Sequence, residues 1–156
     1  EIPLRLVGSE MCIRDSTSTV RDTNAELGAD AKLVLTEKLL THGNQTAISN
    51  MKVELKGEGS SVQVISRSVA QDDSVQVFNP LVIGECACRG HVQCDAIIMG
   101  NAKVKAIPGI EAASEDAMLV HEAAIGKIAG DQLLKLETLG LSPEEAEETI
   151  LKGFLA

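Results

Sequence analysis

The chain has 156 residues, 44% of them hydrophobic, yet Phe78 and Phe154 are its only aromatic rings, so a core built on large rings is excluded and one of stacked Val, Ile, Leu and Ala is favoured. Its formal net charge of −9 argues against a phosphate-backbone partner, which depends on Lys and Arg displacing counterions, and no nucleic-acid role is expected. No unbroken apolar run is long enough to span a bilayer and no secretory signal is recognisable, so the expectation is a cytoplasmic protein with no membrane partner.

Residues 1–16, with the run RLVGSEMCIRDS, differ in character from the remainder and read as translated sequencing-adapter read-through. They are set aside, Cys12 with them, and the chain is expected to be the tail of a longer protein. From residue 17 one theme recurs, a small or acidic turn followed by alternating apolar positions: GADAKLVLTE at 28–37, GEGSSVQVIS at 57–66, QDDSVQVFNP at 71–80, GNAKVKAIP at 100–108 and SEDAMLVHE at 114–122. Period-two alternation between Gly, Asp, Asn and Ser clusters is the strand signal. If Leu33, Val62, Val75, Val104 and Leu119 are equivalent, the steps between their numbers are 29, 13, 29 and 15, which suggests stacked rungs. The expected fold over 17–125 is therefore a parallel β-helix, a solenoid in which each coil buries its inward side chains on the next. A hexapeptide solenoid is disfavoured, because no sustained apolar position recurs at every sixth place. A solenoid cut through its coils should expose an apolar end near residues 20–40.

Over 126–156 the period becomes helical. Ile128, Leu133, Leu136 and Leu139 or Leu134 line one side of a first helix, and Gly140 stands where a left-handed residue commonly ends one. Ser142-Pro143-Glu144-Glu145 combines an N-cap, a first-turn proline and a capping-box glutamate, and Ala146, Ile150, Leu151 and Phe154 give the second helix an apolar stripe.

Cys86, Cys88 and Cys94, in a chain without a secretory signal, are expected to be free thiols or metal ligands. In Cys86-Ala87-Cys88 the i, i+2 spacing points both thiols to one side. With His91 and Cys94 the group superficially resembles a zinc cluster, but it lacks paired C-x-x-C knuckles, and small buried cysteines are the alternative. Cys94, His121 and Glu122 are plausible ligands for a soft or borderline metal. The step from Cys94 to Glu122 nearly equals the repeat, so a coil can bring them to neighbouring rungs. The alternative for Glu122 is electrostatic support of a following helix N-terminus.

The order CDxxxxG from Cys94, AxP at 106–108, then HEAAIGKIAGDQLxxLxxLGLSxEEAxxxIxxGF from His121, resembles the C-terminal part of the SufB/SufD family of iron-sulfur cluster assembly scaffolds. The resemblance implies a right-handed parallel β-helix followed by a short C-terminal helical segment. It also implies a transient iron-sulfur cluster as cargo, with Cys94 and Glu122 as ligands and His121 as a further ligand or proton-handling neighbour; Cys88 and His91 are weaker candidates. The partners implied are a SufC-type ABC ATPase on the C-terminal helices, a second SufB/SufD-type subunit on the β-helix, and a cysteine desulfurase system with apo-protein acceptors. No ATP site is expected in this chain, which has no G-x-x-x-x-G-K-[ST] loop, and no enzymatic activity. The family's sulfur-receiving cysteine lies upstream of the sequence. A structural SufD-like subunit that binds the ATPase but no cluster is the alternative, while a polysaccharide-active β-helix is disfavoured by the scarcity of aromatic platforms.

Overall fold

The computed structural model describes residues 5–7 and 18–156, and the expectation for 1–16, Cys12 included, otherwise lies outside the described residues. A short strand β1 (Arg5–Val7) pairs antiparallel with β2 (Ser18–Leu27). From β2 onward the chain alternates between two parallel sheets. One stacks β2, β4 (Thr46–Leu55), β6 (Val75–Gly84) and then β8 (Lys103–Ala106) with β9 (Gly109–Ala112). The other stacks β3 (Lys32–Thr41), β5 (Ser61–Ala70), β7 (Arg89–Ile98) and β10 (Met118–Gly126). The result is a β-solenoid of about four turns followed by two helices.

Register fixes the coil length. Lys32 lies beside Ser61, Ser61 beside Arg89, and Arg89 beside Met118, so the offset from coil to coil is 29, then 28, then 29. Leu33 and Val62 are thus true equivalents, but Val104 pairs with Gln76 rather than Val75, one place off the expected register. The two shorter steps, from Val62 to Val75 and from Val104 to Leu119, are crossings from one sheet to the other. Alternation does the rest: in β4, Ala47, Ser49, Met51, Val53 and Leu55 are buried while the residues between them are half-buried. Leu27, Val53, Leu55, Val64, Val82 and Val92 fill the axis between the sheets. A flattened tube of this width holds aliphatic side chains from two facing strands, which accounts for the near absence of rings.

Corner turns need left-handed backbone, which Asp30 (φ 57°) and Asp72 (φ 60°) adopt. Short polar side chains tolerate this region because they bond locally, and Asp72 Oδ2 accepts from Gly43 N at 2.7 Å. The fourth coil is interrupted between β8 and β9: Ile107 N still donates to Phe78 O at 2.8 Å, but Pro108 has no N–H to continue the ladder.

The interior at the β2–β3 end is not simply apolar. Arg21 and Glu37 form an ion pair there, and Ser49 Oγ donates to Glu37 Oε2 at 2.7 Å. The exposed apolar residues of this region, Val34 and Leu40 among them, include side chains on the outer face of β3. At the opposite end Met118, Val120 and Ile125 of β10 are exposed, and β10 is an edge strand of its sheet among the described residues.

β10 runs through Gly126, and helix α1 (Gly130–Thr138) begins past Ile128. Gly140 (φ 97°) ends it, its N–H donating to Glu137 O at 2.9 Å. Helix α2 (Pro143–Leu155) opens on the expected capping box: Ser142 Oγ accepts from Glu145 N at 3.2 Å and Glu145 Oε2 from Ser142 N at 2.8 Å. Because α1 has no side-chain cap and no buried residue, this box is the best-defined start in the helical segment. Ser142→Ala is expected to cost about 1 kcal/mol, read as a lower thermal midpoint for the helical signal. α2 packs on α1 and β5, burying Ala146 completely, and Lys38 Nζ donates to the Ala156 carbonyl.

Candidate functional site

The candidate ligands lie on β7 and β10, adjacent parallel strands in which side chains alternate between the axis and the outer face. Cys94 points inward and is 4% exposed, with Ser66 beside it on β5 and Ala123 on β10. His121 is paired with Val92, so it shares the inward face, one side-chain step from Cys94 along the strands. Its Nε2 lies 3.4 Å from Cys94 Sγ. Burial, and after it the charge of Asp95, pushes the Cys94 thiol up to about 11. The thiol is therefore protonated at neutral pH and ionises when a metal takes the place of its proton.

Glu122 is placed differently. It pairs with Gln93 and belongs to the outer face, where its Oε1 lies 2.9 Å from His91 Nε2. The sheet stands between this exposed pair and the inward Cys94–His121 pair. Glu122 also sits within β10, not at the start of α1, so support of a helix N-terminus is not its role. Cys88 is buried at the corner before β7 and faces the axis, whereas His91 faces out, so those two are not brought together. Among the described residues no group of three or more His, Cys, Asp and Glu is gathered to hold a metal.

Two features escape a reading of the sequence. The partnership of His91 with Glu122 joins adjacent strands on a diagonal that the repeat implies only once register is known. Asp95, held by Gln93 Nε2 at 2.7 Å, acts on the neighbouring thiol from the outer side of the strand. Chemically the inward pair offers a thiolate and an imidazole, a donor set suited to iron or zinc, with coordination positions left for sulfide or for donors from another chain.

The family model for the SufBD core domain of SUF-system iron-sulfur cluster assembly matches residues 10–154. The chain belongs to the SufBD family. An iron-sulfur cluster assembly SufBD family protein of Pyrococcus horikoshii is 37% identical over 106 residues, covering 67% of this chain and 24% of that protein. A SufBD family protein of Methanothermobacter thermautotrophicus is 32% identical over 118 residues, 73% of this chain and 29% of that protein. A second Pyrococcus horikoshii member is 35% identical over 133 residues, 84% of this chain and 40% of that protein. The chain thus spans between a quarter and two fifths of these SufBD relatives. No helix among the described residues is long and apolar enough to cross a membrane.

Proposed function

We propose that this chain is the part of a cytoplasmic SUF scaffold subunit on which a nascent iron-sulfur cluster is assembled and from which it is passed on. The observation that carries the reading is the 3.4 Å approach of His121 Nε2 to Cys94 Sγ in the last coils before the helices. A thiolate binds iron and accepts bridging sulfide readily, while imidazole and carboxylate hold iron more weakly and release it more easily. Cys94 is then the anchoring ligand, His121 either a further ligand or the neighbour that handles the thiol proton, and the outer His91–Glu122 pair a separate imidazole and carboxylate set for iron. Two inward donors do not complete an iron site, so the remaining ligands come from sulfide and from a second SufB/SufD-type subunit. The open edge of β10, with Val120 and Ile125 exposed, supports pairing there. Leu134 and Leu139 stand exposed on and just after α1 and support docking of a SufC-type ATPase on the helical segment. ATP hydrolysis belongs to that partner, sulfur comes from a cysteine desulfurase system, and apo-proteins take the finished cluster.

Anaerobic iron-sulfide reconstitution of the full-length protein with its ATPase partner tests the assignment, wild type against Cys94→Ala. The variant is expected to lose the visible absorption and bound iron of the cluster while the complex still elutes intact. A cluster unchanged in the variant would move the ligands elsewhere. One observation favours a second reading, a structural SufD-like subunit that binds the ATPase alone: among the described residues only two donors converge on the inner face. Absence of a cluster in both proteins would select it.

A further inference from the structure

Cys86 and Cys88 take no part in the arrangement above, and they occupy a corner with unusual chemistry. Both are free thiols, Cys88 buried and Cys86 half-buried, at the bend between β6 and β7. Cys86 Sγ lies 3.6 Å from Leu55 O, and Cys86 packs against the same hydrophobic cluster that holds Cys88. Register at this corner stacks Ala31, Ser60, Cys88 and Ala117 in one column, since each immediately precedes the paired residues Lys32, Ser61, Arg89 and Met118. Ser60 is 1% exposed, and its hydroxyl has no hydrogen-bond partner among the described residues. An orphan buried hydroxyl one rung below a buried thiol is a donor without an acceptor. A neutral thiol accepts weakly, and a thiolate strongly.

We propose that Cys86 and Cys88 form a two-thiolate site for a soft monovalent cation of the closed-shell d10 class, such as Cu(I), with the Ser60 hydroxyl donating to the Cys88 sulfur in the loaded state. Two adjacent thiols with no third His, Cys, Asp or Glu gathered beside them among the described residues suit two-coordinate binding and leave zinc without the four ligands it takes. The step balances without any redox partner: one Cu(I) displaces two thiol protons and leaves a complex of net charge −1. Ser60 and Cys88 line an open groove together with Lys32, Arg89, Asp30, Glu58 and Asp116, a mixed-charge route by which a cation reaches the Cys88 side of the corner. Loading releases two thiol protons and so strengthens as pH rises. The site is independent of cluster assembly at Cys94.

The test is an anaerobic Cu(I) titration of the full-length apo-protein, free of iron and sulfide, against the chromophoric chelator bicinchoninate. Wild type is expected to withhold one equivalent of copper that Cys94→Ala also withholds. Cys86→Ser and Cys88→Ala should each weaken that equivalent at least hundredfold, and Ser60→Ala about tenfold. Alanine at 88 suits the column, because Ala31 and Ala117 already occupy it, and a wild-type thermal midpoint for Cys88→Ala separates lost ligation from lost folding. Copper that persists in both cysteine variants, that disappears with Cys94→Ala, or that wild type does not withhold overturns the proposal.

Discussion

Gly57→Ala is expected to destabilise the solenoid by about 3–5 kcal/mol, the range of substitutions that force a backbone clash in a packed interior. Gly57 lies at the first corner, where its N–H donates to Leu27 O at 3.1 Å and that of Lys56 to the same oxygen at 2.9 Å. These bonds draw the turn onto the one below, so that a Cβ at 57 would sit 1.9 Å from Ala29 N and 2.2 Å from Gly28 C. Backbone is on the receiving side, and it is held in turn by Asp30 N donating to Glu58 O at 2.8 Å. No rotamer change relieves such a contact. Gly126→Ala is the matched control, with nothing within 4 Å of the added carbon and no positive φ, and should shift stability by less than about 0.5 kcal/mol. Urea midpoints of the two variants decide the matter. A Gly57→Ala shift no larger than that of the control would mean that the corner relaxes.

Metal affinity at Cys94 is expected to rise about tenfold per pH unit from pH 7 to 10, because each ion bound releases the thiol proton. The sign follows from the raised pKa: with the thiol at about 11, roughly one molecule in ten thousand carries the thiolate at pH 7. An ordinary thiol would level off near pH 9, so the continued rise between 9 and 10 is the diagnostic part. Without metal, the same shift favours the fold below the ordinary thiol pKa, an advantage lost as pH rises through about 11. Co(II) is the probe, its sulfur-to-metal charge-transfer band taken as the difference between wild type and Cys94→Ala. A plateau by pH 9 would show that burial does not hold the proton on.

Strands are legible in the sequence where the inward positions are aliphatic and the turns acidic, as in 28–37 and 57–66. β2, β4 and β7 are harder, because polar or small side chains such as Ser49 and Cys94 belong to their inward sets, and apolar residues such as Ile48 of β4 occupy the outer set. The pattern there is half inverted, and only pairing with the neighbouring coils reveals which face is which. In the helical segment the Gly140 stop and the capping box of α2 read from sequence, since they act within a few residues of chain, whereas Ile128 and Leu139 of the expected first-helix stripe fall outside α1.

The sequence brings forward Cys94, His121 and Glu122 as candidates but not their orientation. The offset from Cys94 to Glu122 equals the one that separates Ser61 from Arg89, yet the coil that joins β7 to β10 is longer by one and sets Ala123 beside Cys94. A difference of one residue moves a side chain through the sheet, so His121 joins the thiol and Glu122 does not. Family resemblance names candidate residues; it does not supply the parity that separates the inner pair from the outer one.

Longer and shorter coils coexist because the spare residue sits in the first corner, where the segment between sheets is 28–31, then 56–60, then 85–88, then 113–117. The second corner keeps one length throughout, 42–45, 71–74 and 99–102. The first corner is thus where this lineage can absorb a gained or lost codon without rewriting its interior. A change there leaves every later side chain on its own face, while the same change inside a strand exchanges inner and outer residues over the rest of that strand.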